Sequence, residues 1–168
     1  MLNLKNNFIM KPTTLLSKMA IVFFFFLGTT AFSQNLVPAE NLTPALLKQT
    51  FENAYIKVLE TQDGFIKVQD TYDVFIDIDP SKRYVCFSSS YSLVAGTSSK
   101  DALELMNLLN TDIILVKSYY IEKNNSINYI AYFWTERGFS PQSMVSAFKM
   151  YVSALTLSLQ KDTKKIIK

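Results

Sequence analysis

Phe65-Ile66-Lys67-Val68-Gln69-Asp70-Thr71-Tyr72-Asp73-Val74-Phe75-Ile76-Asp77-Ile78-Asp79 is the stretch that decides the fold. Ile66 and Val68 share one face of a first strand. Val74, Ile76 and Ile78 share one face of a second, with Asp73, Phe75, Asp77 and Asp79 on the other. A side-chain period of two belongs to strands, and one polar face marks an antiparallel sheet wetted on one side. Asp70-Thr71 turns the chain between the two. Upstream, Ile56 to Glu60 alternates imperfectly, and Gln62-Asp63-Gly64 signals a tight turn. Downstream, Asp79-Pro80-Ser81-Lys82 is a turn with Pro80 placed to start it, and Arg83 to Leu93 reads as a further strand.

Helices flank this block. Thr43 is an N-cap with Pro44 at the first helical position, where the missing N–H costs nothing. Leu46, Leu47, Thr50, Phe51 and Ala54 then repeat at three- and four-residue spacing, and the helix fades between Asn53 and Tyr55. Ser98-Ser99-Lys100-Asp101 is a capping-box pattern with Asp in place of Glu. It opens a helix with Ala102, Leu105, Met106 and Leu109 on its buried stripe, widened by Leu103 and Leu108 and ending near Asn110. A hairpin runs from Ile113 to Lys123 and from Ser126 to Thr135 around Asn124-Asn125. Ser140 caps a last helix, with Pro141 in first position. Its stripe is Met144/Val145, Phe148, Tyr151/Val152, Leu155 and Leu159, and it reaches about Lys161 before Lys164, Lys165 and Lys168. The predicted order is α-β(3-4)-α-β-β-α. A sheet wetted on one face must hide the other, so the fold class is α+β: a two-layer antiparallel sheet covered by helices.

The N-terminus carries an address. Lys5, Lys11 and Lys18 precede the apolar run Met19 to Leu27, and Ala31-Phe32-Ser33 supplies small residues at the −3 and −1 positions. This is the pattern of a secretory signal cleaved between Ser33 and Gln34, with translation starting at Met1 or Met10. A membrane-spanning helix needs about 20 apolar residues, roughly twice this run. The predicted organisation is a signal peptide over 1–33, an extended leader over 34–42 and one α+β domain over 43–168. The chain has 17 Lys+Arg and 14 Asp+Glu. Three of the lysines leave with the signal, so the mature balance is 14 against 14. A neutral domain lacks the basic footprint of a nucleic-acid binder and has no charge-based attraction to anionic membranes.

Composition also bounds the chemistry. There is no His, which removes His-based acid–base catalysis, His-containing triads and the commonest metal ligand. Cys86 is the single cysteine, so no intramolecular disulfide forms and the usual zinc sites are excluded. In its strand-like setting it reads as a buried, inert thiol. No glycine pattern makes a phosphate loop. Asp70, Asp73, Asp77 and Asp79 suggest calcium by residue type alone. Spacing argues against it, because Asp73 and Asp77 lie about 13 Å apart along a strand. No catalytic, metal or cofactor site is expected.

The residues resemble a known family. Leu46-Leu47-Lys48 to Phe51, Asp63-Gly64-Phe65-Ile66, Asp73-Val74-Phe75-Ile76-Asp77, Ala102-Leu103-Glu104-Leu105-Met106-Asn107 and Gly138-Phe139-Ser140-Pro141 look like the YbjN family of bacterial sensory-transduction regulators. The similarity covers about residues 43–162 and rests on element order and apolar pattern. It implies a fold similar to type III secretion chaperones, relatives of which dimerise and bind extended protein segments. It implies no catalytic residues. Much of the family is cytosolic, from which the export signal departs.

What remains conspicuous is aromatic. Tyr119, Tyr120, Tyr129, Tyr132, Phe133 and Trp134 crowd the hairpin. Tyr129, Ala131 and Phe133 alternate with Ile130, Tyr132 and Trp134, so both faces are apolar and one must be core. Large exposed aromatic patches mark interaction sites, which makes Tyr119, Tyr129, Tyr132, Phe133 and Trp134 the candidate partner surface. Helix cover on one side and ordinary surface tyrosines on the other would account for the same residues. The expectation is a non-enzymatic, exported protein-binding or chaperone-like module with a regulatory role, periplasmic or secreted. It would bind a protein partner or form a homodimer through the sheet, its edge or the aromatic hairpin. It would touch neither nucleic acid nor, after cleavage, membrane. The alternative is a sensor holding a small apolar ligand between helices and sheet.

Overall fold

The computed structural model describes residues 36–168. The expected signal sequence and its expected Ser33/Gln34 cleavage point lie outside the described residues. From Pro44 the order is α1 (Pro44–Asn53), β1 (Lys57–Gln62), β2 (Phe65–Gln69), β3 (Asp73–Ile78), β4 (Tyr84–Ser92), α2 (Ser99–Asp112), β5 (Lys117–Ile121), β6 (Ser126–Trp134) and α3 (Pro141–Gln160). The strands form one six-stranded antiparallel sheet in the order β1-β2-β3-β4-β6-β5. This is the expected α+β fold, with four strands in the first block.

The caps form as the residue types require. Thr43 Oγ1 accepts from Leu46 N at 3.2 Å, and Ser140 Oγ from Ser143 N at 3.0 Å. Ser98 Oγ accepts from Asp101 N at 3.1 Å. The Asp101 carboxylate takes the Ser98 hydroxyl rather than its backbone N–H, because Asp is one methylene shorter than the Glu of a full box.

All three helices lie against one face of the sheet. Their stripes meet Ile66, Val68, Val74, Ile76, Val85, Phe87, Ile127 and Tyr129, all buried. Phe148 of α3 is the hub. Its ring stands edge-on to Phe51 of α1 at 5.1 Å and to Phe87 of β4 at 5.8 Å. Tyr151 adds a hydrogen bond from Oη to the Tyr129 carbonyl at 3.1 Å.

Several boundaries differ from the sequence pattern. Residues 37–42, read as part of an extended leader, are laid into the domain: Leu42 is buried, Ala39–Asn41 make a 3-10 turn, and Val37 bridges Phe139. Gly138 permits that approach. Its φ is +83°, and a Cβ there would lie 3.2 Å from the Val37 carbonyl oxygen. Residues 113–116 are a connection rather than the start of β5, and α2 runs to Asp112. Leu103 and Leu108 do not widen the buried stripe of α2 but face solvent. The chain end is also docked. Ile167 bridges Leu93, and Lys164 Nζ reaches Asp101 at 2.6 Å and Glu104 at 3.1 Å.

Candidate interaction surface

Among the described residues every helix lies on one side and the other side of the sheet is bare, and register arranges it in rows. One row runs Gln62, Phe65, Asp77, Cys86, Tyr132 across β1, β2, β3, β4 and β6. The next runs Glu60, Lys67, Phe75, Ser88, Ile130, Lys117 across all six strands. A third has Lys57, Gln69 and Asp73 at one end and Ser90, Asn128 and Tyr119 at the other. Tyr84 and Trp134 pair beyond the first row.

Aromatic side chains fill much of this face. Tyr84 stands edge-on to Tyr132 at 5.1 Å and to Trp134 at 5.3 Å, and Phe65 meets Phe75 at 5.8 Å. Trp134 remains 64% exposed, Tyr132 50%, Phe75 37% and Tyr119 36%. These are large residues to leave in water. Edge-to-face packing on Tyr84 fixes Tyr132 and Trp134 without covering them.

The five hairpin residues singled out in the sequence therefore divide. Tyr119, Tyr132 and Trp134 lie on the bare face. Tyr129 and Phe133 do not: Tyr129 is fully buried, and Phe133 packs edge-on against Phe139 at 6.3 Å. The reason is pairing. Tyr129 opposes Ser89 and Phe133 opposes Val85, so both point into the helix layer. Phe65, Phe75 and Tyr84 complete the surface. Phe75 was legible as the odd residue between Val74 and Ile76. Its position beside the hairpin aromatics depends on the β4–β6 pairing, which no local pattern reveals.

Polar groups on the face are mostly committed. Lys67 Nζ lies 2.7 Å from Asp73 and 5.4 Å from the Phe75 ring centroid. Its hydrogen bond holds the Asp73 carboxyl below the usual carboxylate range. Burial pushes the Asp77 carboxyl up, opposed by the Ser88 hydroxyl at 3.4 Å. Burial, and then the Asp77 charge, push the Cys86 thiol up to about 11. Since the thiolate is the nucleophile, native Cys86 should react far more slowly with iodoacetamide at pH 8 than the unfolded chain does. The native rate should keep climbing as pH approaches 11. Equal rates for native and unfolded protein at pH 8 would contradict this. Among the described residues no group of three or more His, Cys, Asp or Glu is placed to hold a metal.

The sheet edges are less available than the face. On β5 the Asn110 side chain takes the place of a neighbouring strand. Its Oδ1 accepts from Ser118 N at 2.8 Å and its Nδ2 donates to Ser118 O at 2.9 Å. On β1 a bulge at Leu59 interrupts the register between Val58 and Glu60. Both devices discourage strand addition. On the helix side, an open groove of about 470 Å³ lies between the 113–115 connection and α3, lined by Ile113, Ile114, Leu115, Met150 and Leu157. It is open to solvent, and no strand residue lines it.

These features define a class: an α+β domain whose single helix layer leaves one aromatic sheet face uncovered. The model of the YbjN family, described as "Putative bacterial sensory transduction regulator", matches residues 43–158, and the chain belongs to that family. Among solved structures it is similar to one titled "Crystal structure of YbjN, a putative transcription regulator from E. coli". The TM-score is 0.68 at 11% identity, over 80% of this chain and 99% of that one. At that identity the likeness is one of fold. No curated protein sequence matches the chain.

Proposed function

We propose that this chain is an exported regulatory module that binds protein through its bare sheet face and carries out no chemistry of its own. The observation behind the proposal is the one-sided helix layer, which leaves Trp134, Tyr132 and Phe75 in water beside Tyr84 and Phe65. Desolvating such anchors is a strong source of binding energy at protein interfaces. The plugged and bulged edges favour the face over strand addition. The signal pattern before Gln34 supports a periplasmic or secreted location.

A photo-crosslinking amino acid at position 134 tests this in intact cells. It should trap one defined protein species, whereas the same group at exposed position 142 at the start of α3 should trap none. Indiscriminate trapping at both positions, or none at 134, would count against the face. N-terminal sequencing of the processed protein should begin at Gln34, and a chain still starting at Met1 or Met10 would remove the export part.

A further inference from the structure

We infer that the occupant of the bare face is a second copy of this chain, stacked face to face about a twofold axis parallel to the strands, between β3 and β4. This deepens the face-binding proposal and rests on it. The sheet has six strands, so such an axis sets β3 over β4, β2 over β6 and β1 over β5 of the other copy. Both sheets keep the same twist under rotation, as in aligned sandwich packing.

Part of each row matches under this operation, which also sets Lys67 on Ile130 and Asp77 on Cys86. Glu60 at one margin falls on Lys117 of the second copy at the other. Phe65 falls on Tyr132, and Phe75 falls on the small Ser88. Trp134 projects past the first row onto the Asp63-Gly64 turn, where Gly64 has open space around its Cα. Each match occurs twice, because the interface is isologous. The other in-plane axis, perpendicular to the strands and centred on Phe75, lays each strand on itself. It would set Lys67 on Lys67 and Asp73 on Asp77, like charge on like. The face also carries both signs, Glu60, Asp73 and Asp77 against Lys67 and Lys117. That suits self-complementarity better than a uniformly charged partner.

Sedimentation equilibrium on the processed protein, with Trp134 emission as a second readout, tests the arrangement. Trp134 is the only tryptophan, so concentrating the protein should shift its emission to the blue as dimer forms. Glu60→Lys should weaken the dimer by about tenfold, since two marginal pairs become repulsive. Lys117→Glu should do the same, and the double exchange should restore wild-type affinity. Tyr132→Asp should weaken it by about a hundredfold or more. All these positions are at the surface, so circular dichroism should show an unchanged monomer. A protein that stays monomeric at high concentration, with Trp134 still trapped by another protein, overturns the second copy and leaves the face reading intact. A dimer indifferent to Tyr132→Asp and to the charge exchange overturns both.

Discussion

Phe148→Ala should be the most destabilising single change in the domain, costing about 3–5 kcal/mol. Phe148 is fully buried and its ring touches both Phe51 and Phe87. It is where α3, α1 and the sheet centre meet, so truncation loses transfer energy and leaves a cavity that three elements hold open. A domain of this size has roughly 5–15 kcal/mol of stability in total. Tm should therefore fall by roughly 10 °C or more. Phe148→Leu should recover a good part of this, because it refills most of the volume. Thermal denaturation followed by circular dichroism checks both. A loss under about 1 kcal/mol for Phe148→Ala would show that the three elements do not share one core there.

Asn110→Ala should have the second largest effect, and of two kinds. Ser118 is 3% exposed, and its backbone N–H and carbonyl have Asn110 as partner. Removing the amide leaves two buried polar groups unpaired, at about 1–3 kcal/mol each before water enters. It also opens the β5 edge to pairing with another chain. The variant should melt lower and should form oligomers whose amide hydrogen exchange is slowed along residues 117–121. Asn110→Gln keeps the chemistry and lengthens the arm, so it should fall between the two. A variant that melts lower yet stays as free of association as the wild type would confine Asn110 to a structural role.

The edge plug was not visible in the sequence. Asn110 reads as the polar end of a helix, and Ser118 as an ordinary strand residue eight positions on. Only the packing of α2 beside β5 joins them. Leu103 and Leu108 show the same limit: their spacing admits a wide buried stripe, but α2 covers the margin of the sheet and presents just one side to it. The bare face was half legible. Alternation split Tyr129 and Phe133 from Tyr132 and Trp134 without saying which set was core.

The sequence by itself determined the element order, the three capped helix starts, the two-layer α+β class and the neutral charge of the chain after Ser33. These are local or additive properties: a period of 2 or 3.6, a capping side chain, a sum of charges. The tertiary structure alone decided that all three helices share one side, that Tyr129 and Phe133 belong to the core, and that Phe65 and Phe75 share a surface with Tyr84, Tyr132 and Trp134. Those facts depend on the β4–β6 register, which joins segments about forty residues apart. Such pairing is settled by the whole core closing at once, and no single stretch of chain encodes it.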